Sequence, residues 1–403
     1  MKKSSKILYY LVFFTTLSIV VFSLFAIIFP SFLMTTFYPY TTNLQPFESS
    51  VWLVPIVSSN SILLVIGFAY YRKKLPLQIY KGIEFILNFE ISKKTALLTG
   101  IIILVVYIGF SLPELAIDEA TQYDDWGVLE SALEVWPSTD SDDIYINEQN
   151  TRYVRMLLLD ASSDLFQNIK LLPFVASILL VVVTFFLTYQ ITQKRFAGII
   201  SMVILLQSHT FLHFDTIAVY ENFWVLFYVV SLYAINRKWQ YSSISYLLSI
   251  FSKAFIAVFF LSSLYYICRA SISTRKKLYT LASYATSLIV ILLVFSFGES
   301  IYFDIINISS SEFFLAFNAL GYTLRYDLII VLSLLPLTLG LFFKFRKDNS
   351  KKVDSILVLI LTALLAGPVI SMLTDFYFIL PYRFLPLIVF VAVGIGVLLS
   401  KKN

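Results

Sequence analysis

Chemistry-bearing residues are scarce in this chain: one cysteine, two histidines, 12 glycines and 12 prolines in 403 residues. A single Cys268 forms no intramolecular disulfide and no thiolate zinc cluster. Charge is scarce as well, at 14% Asp, Glu, Lys and Arg against about 25% in an average soluble domain. With so little charge a chain this long cannot clothe a soluble globule, and both a soluble enzyme and a disordered tail are excluded. What replaces charge is apolar bulk: 59% of the residues are hydrophobic and mean hydropathy is +0.82. The expected fold class is therefore all-α, a polytopic membrane helical bundle. The net charge of +5 is spread over short clusters between apolar runs, which argues for membrane orientation signals and no nucleic-acid partner.

A bilayer core takes about 20 apolar residues per helix. Read on that scale, the sequence predicts about 12 spans, over 7–29, 51–71, 95–112, 171–190, 196–210, 219–236, 240–252, 254–268, 278–297, 328–343, 353–374 and 384–400. The first is too long for the apolar core of a signal peptide and is expected to remain as an anchor. Twelve crossings place most of the 30 basic residues on one side, in clusters that begin with Lys2/Lys3/Lys6 and Arg72/Lys73/Lys74 and end with Lys401/Lys402. Only Glu84, Glu90, Asp348 and Asp354 share that side. The expectation is a cell (plasma) membrane protein with both termini cytoplasmic. Residues 1–94 supply two N-terminal helices and a cytoplasmic loop, and 95–403 the core.

The two runs flanking Ser252-Lys253 are short and basic at both outer ends, so they read as a helical hairpin entering from the cytoplasm with Lys253 at or below the external surface, where a buried lysine needs an anionic partner. Snorkelling is the plainer role for such a lysine. The long external loop 113–170 is acidic. It places Asp118-Glu119 just beyond a spanning-helix end, a place where carboxylates lose hydration and become candidate bases or metal ligands. Trp126, Leu129, Leu133 and Trp136 recur at helical spacing with Glu130 and Glu134 on another face, as in a helix at headgroup level. Tyr153, Met156, Leu157 and Leu158 predict another helix. Asp140, Asp142 and Asp143 read as a solvated turn, with a calcium site as the alternative. His209 and His213, four apart near Asp215, have zinc-compatible spacing but no third ligand, and packing is the favoured reading. No metal site is therefore assigned; cofactors stay unknown, a divalent cation included. Asn307-Ile308-Ser309 is an external glycosylation sequon.

From residue 118 onward the order of features resembles the GT-C class of integral-membrane glycosyltransferases, in particular the bacterial and archaeal relatives of protein mannosyltransferases. The features are Asp118-Glu119 in the first external loop; Asn168 to Pro173 followed by an apolar helix that ends in the basic turn Gln193-Lys194-Arg195; His213 to Phe223, with Glu221 as the second acidic position; Leu247 to Ala254, a short helix that ends in Lys253; and Pro381-Tyr382-Arg383-Phe384, in which Tyr and Arg are swapped relative to the family order. The resemblance covers roughly residues 95–400. It implies a sugar donor carried on a polyprenyl phosphate, a lipid, glycan or protein acceptor on the external face, and an inverting displacement. It further implies Asp118 as base, Glu119 or Glu221 orienting it, and Lys253, Arg325 or Arg383 holding the lipid phosphate. The competing readings are a multi-pass transporter or lipid flippase, favoured by Pro336 and Gly367-Pro368 inside late spans, and a noncatalytic membrane subunit.

Overall fold

The computed structural model describes residues 3–37, 45–137, 143–297, 308–348, 351–374 and 380–400. Asp140 and Asp142 of the acidic run, Asn307 of the sequon, Lys2, and Lys401 and Lys402 lie outside the described residues. The described chain is 83% helical without a strand. In chain order the helices are α1 (Lys3–Ile28), α2 (Pro30–Phe37), α3 (Leu53–Tyr71), α4 (Leu77–Asn88), α5 (Lys93–Ser111), α6 (Trp126–Val135), α7 (Ile144–Asn150), α8 (Tyr153–Phe166), α9 (Leu171–Thr192) and α10 (Arg195–Leu206). They continue as α11 (His209–His213), α12 (Phe223–Arg237), α13 (Ser242–Ser252), α14 (Phe260–Arg269), α15 (Thr274–Phe297), α16 (Ser310–Leu324), α17 (Leu328–Asp348), α18 (Lys351–Thr374) and α19 (Leu385–Leu398).

Among the described residues eight helices, α1, α3, α5, α9, α15, α17, α18 and α19, contain segments long and apolar enough to cross a membrane. Helices satisfy their own backbone polar groups, which is why lipid tolerates them. The remaining apolar runs fold shorter: α10 has 12 residues, α12 has 15 and α13 has 11, and 254–269 is divided between a 3-10 turn and α14. The structure is thus that of a helical membrane protein. Length by itself supports fewer crossings than the twelve read from hydropathy, because polar residues such as Gln207-Ser208 and Ser252-Lys253 interrupt the apolar runs.

The chain forms two compact units, one of Met1–Ser92, Thr188–Thr210 and Ile301–Asn403, the other of Lys93–Leu187 and Phe211–Ser300. In the first unit α19 is the centre, 78% of its apolar window being buried, whereas α3 has 11% buried. A helix apolar all round suits either place. Gly396 of α19 admits Ala197 O and Thr188 so closely that a Cβ would sit 2.6 Å from that oxygen. The basic turns of this unit meet at one end: Lys194 Nζ donates to Leu87 O (3.1 Å), Arg195 pairs with Glu90 (3.3 Å), Lys352 Nζ donates to Gln190 O (3.1 Å) and Lys344 Nζ to Val397 O (2.6 Å). Tyr9 stacks on Phe345 at 3.7 Å and donates to Phe342 O, so the start of α1 and the end of α19 share that end. Helix α16 lies at the opposite level. Ser309 N–H reaches Met372 O near the end of α18, and Gly321 meets Ile27 near the end of α1.

In the second unit α12 and α13 form a hairpin around Trp224, Tyr228 and Tyr246, all fully buried. Ser249 Oγ donates to Trp224 O (2.5 Å) and Ser242 Oγ to Ser231 O (2.9 Å). Serines on α13 thus let the two backbones approach closely, as small polar residues do inside membranes.

Candidate functional site

The end of α5 continues into a 3-10 turn, Leu112–Ala116, and a second turn at Glu119–Thr121 that Asp118 caps by accepting the Ala120 N–H (3.0 Å). This cap sends two neighbouring carboxylates in opposite directions. Asp118 is exposed, and Glu119 is 2% exposed. The Glu119 carboxylate accepts two backbone N–H groups, from Ala218 (2.7 Å) and Val219 (3.1 Å), and lies 3.9 Å from Lys170 Nζ. Burial pushes the pKa of Glu119 up, opposed by the two N–H donors and then by Lys170 and Arg155. Burial pushes that of Lys170 down, opposed first by Glu119. Lys170 also donates to Glu114 O (2.5 Å) and Ile117 O (3.1 Å), so it ties the start of α9 to the turn that carries Asp118.

Segment 214–222, between α11 and α12, is held from its other face by Arg155 of α8. That guanidinium is 1% exposed, donates from Nη2 to Val219 O (2.8 Å), bonds Gln149 Oε1, and pairs through Nε with Glu221 Oε1 (3.2 Å). Glu221 Oε2 accepts the Phe223 N–H (3.0 Å) at the start of α12, a carboxylate suited to the positive end of a helix. Burial is the largest influence on Glu221 and raises its pKa against the pull of Arg155 and Lys253. Lys253, between α13 and the next turn, stands over the Trp224 ring at 5.5 Å. Its expected anionic neighbour is therefore present.

Asp215, fully buried, accepts Ser111 Oγ through Oδ2 (2.7 Å), and its backbone carbonyl accepts Ser177 Oγ (2.7 Å). Its pKa is pushed up to about 7, mainly by burial, with the Ser111 and Tyr107 hydroxyls pulling it down. Asn222 closes the loop by donating to Ser177 Oγ (2.9 Å) and Phe214 O (3.2 Å).

A cleft of about 590 Å³ opens on the Asp118 side. Asp118 and Glu119, Trp126, Glu130 and Glu134 from α6, Asp160 from α8, and Asn168 and Lys170 before α9 contribute to its walls. Helix α6, expected to lie at headgroup level, thus gives its acidic face to the cleft. Glu221 is not among the lining residues. Of the six residues singled out from sequence, Asp118 and Glu119 share the cleft, and Glu221 and Lys253 lie close together in the same unit. Arg325 and Arg383 belong to the other unit. There Arg325 stands over the Tyr322 ring at 5.2 Å, with a buried Nε that has no hydrogen-bond partner among the described residues. Arg383 stands over the Tyr382 ring at 5.8 Å and donates from Nε to Tyr382 Oη (3.4 Å).

Sequence reading did not single out Arg155 as a partner for Glu221, or Lys170 for Glu119. The only available signal was that each is a rare basic residue in an acidic loop. His209 stacks on Tyr326 (6.0 Å) and His213 meets Phe214 edge-on (4.7 Å). Among the described residues no three His, Cys, Asp or Glu side chains form a metal-binding group. No family model, curated protein or solved structure matches the chain.

Proposed function

We propose that the protein is a membrane glycosyltransferase of GT-C type that moves a sugar from a polyprenyl-phosphate donor to an acceptor hydroxyl outside the cell, with both termini cytoplasmic in the plasma membrane. The observation that carries this reading is the contrast at residues 118–119: Glu119 is consumed in holding segment 214–222, which leaves Asp118 exposed at a cleft large enough for an acceptor. In the proposed reaction the acceptor oxygen attacks the anomeric carbon, the polyprenyl phosphate departs with the bonding pair, and Asp118 takes the hydroxyl proton. Glu119 acts by fixing the turn and Glu221 by fixing Arg155 and α12. Lys253, Arg325 or Arg383 is the cation offered to the lipid phosphate, whose developing charge it would meet by charge-assisted hydrogen bonds. The orientation is supported by the basic turns gathered at one end of the first unit. Helices α17 and α18 run unbroken through Pro336 and Pro368, so neither supplies the interrupted helix that a transporter reading relies on.

The test is transfer from a polyprenyl-phosphate sugar by the purified chain in lipid. Asp118→Asn keeps the side chain's size and is expected to lower turnover by about a hundredfold or more. Asp164→Asn, exposed on α8 and outside the cleft walls, is expected to leave it unchanged. Equal activity in Asp118→Asn and parent would remove the assigned base.

A further inference from the structure

Helix α4 leaves the turn after α3 and leads through Phe89–Ser92 to α5, and none of its residues is buried. Its register separates three faces. Tyr80, Ile83 and Leu87 are half-buried against the protein. Lys81, Glu84 and Asn88 form a polar edge that also carries Leu77, and Ile79, Gly82, Phe85 and Ile86 form a largely apolar arc that includes Gln78 and is continued by Phe89. That arc is open, with Phe85 65% and Ile79 51% exposed. The helix is nonetheless firmly seated. Lys73 takes a left-handed φ of 56° and ends α3 with a Schellman turn, in which Lys74 N–H reaches Ala69 O at 2.8 Å. Tyr70 and Tyr80 both donate to Glu84 (2.7 and 3.2 Å), Leu87 O accepts Lys194 Nζ, and the Phe89 ring packs edge-on against Phe196 (4.9 Å). The acidic residues are engaged, Glu84 by these tyrosines and Glu90 by Arg195. Arg72, Lys73, Lys74 and Lys81 remain exposed, and Lys93 and Lys94 follow in the chain.

We propose that α4 and the basic turn before it form a docking surface for a leaflet of anionic phospholipid. The apolar arc would enter the boundary between headgroups and acyl chains while Arg72, Lys73, Lys74 and Lys81 bind lipid phosphates. Three features favour lipid over another occupant. Helix α4 is fastened to the end of a helix long enough to cross a membrane, with only Arg72–Pro76 between them, which holds it at the level of a membrane surface. An amphipathic helix with basic residues beside its apolar face has the chemistry of an anionic interface. Helix α3, which leads into α4, likewise carries open apolar side chains in its last turns, at Val65 and Phe68. None of this depends on the proposed transfer chemistry.

The test uses the full chain in nanodiscs. A bimane label on Ile86→Cys, in a Cys268→Ala background, is expected to be quenched by lipid carrying a nitroxide near the headgroup and to resist aqueous iodide. Quenching by iodide with none from lipid would overturn the proposal. So would protection from both quenchers together with a doubled particle mass, which would assign the arc to a second copy. In a second measurement, the triple variant Lys73→Gln/Lys74→Gln/Lys81→Gln is expected to retain phosphatidylglycerol, relative to phosphatidylcholine, about tenfold less than the parent after purification. Unchanged phosphatidylglycerol retention would remove the phosphate contacts from the proposal.

Discussion

The carboxylates that hold segment 214–222 and those that line the cleft are used in opposite ways. In the inner layer Glu119 and Glu221 are 2% exposed and meet backbone N–H groups and the buried cations Lys170 and Arg155. In the cleft Asp118, Glu130 and Asp160 line open space. A buried charge pair gives little net stability, because desolvation offsets the attraction, yet removing one partner strands the other. The inner layer is thus a framework that tolerates little change, and the cleft wall is where substitution is cheap for folding and available for chemistry.

The harshest way to break the comparison is Arg155→Met. It leaves Glu221 in the interior with no guanidinium and frees the carbonyls of Ala218 and Val219. The expected cost is about 3–5 kcal/mol, read as a lower midpoint of thermal unfolding in detergent. Burial already raises the pKa of Glu221, and losing Arg155 raises it further. Part of the deficit should therefore return as pH falls and Glu221 is protonated. A midpoint like that of the parent at neutral pH would show that the inner layer is no framework.

Lys170→Met should cost less, about 1–3 kcal/mol in the same measurement, because Glu119 keeps its two backbone donors. The released groups are the carbonyls of Glu114 and Ile117, so the loss should appear locally as faster amide exchange over 112–121.

Asp215 gives the comparison a pH axis. Its carboxyl is raised to about 7 in the folded chain, above the usual carboxylate value, so the folded state holds a proton that the unfolded state releases. Its contribution is complete below about pH 4 and is lost as pH rises to about 7. Asp215→Asn, neutral throughout, should flatten that part of the stability profile, and an unchanged slope would place its origin elsewhere.

Much of this architecture was legible in the sequence, and the limits have physical causes. The eight long helices announce themselves because lipid demands an unbroken apolar run, and α6 and α8 by their periodicity. Hydropathy overstated 196–210, since it counts apolar residues without weighing Gln207 and Ser208, which end α10. It also cannot separate α3, open over most of its surface, from α19 at the centre of its unit. Asp118 was singled out as a candidate from its place after a helix end. The partition between Asp118 and Glu119 was not, because what claims Glu119 is the backbone of Ala218 and Val219, about a hundred residues away and without a side-chain signature. Arg155 and Lys170 were visible as rare cations, but their partners are set by tertiary approach.

The finest test exchanges one atom at each of two adjacent carboxylates. In Asp118→Asn the amide oxygen still accepts the Ala120 N–H, the side chain stays in water, and stability should remain within about 0.5 kcal/mol of the parent. In Glu119→Gln one of the two accepting oxygens becomes an NH₂ group. Whichever way the amide turns, a donor faces the N–H of Ala218 or Val219 in a buried position, at a cost of about 1–3 kcal/mol. Thermal unfolding of the two variants in the same detergent decides the matter. Two equal and small shifts would mean that Glu119 is as free as its neighbour, and the division between framework and cleft would then no longer single out Asp118 as the base.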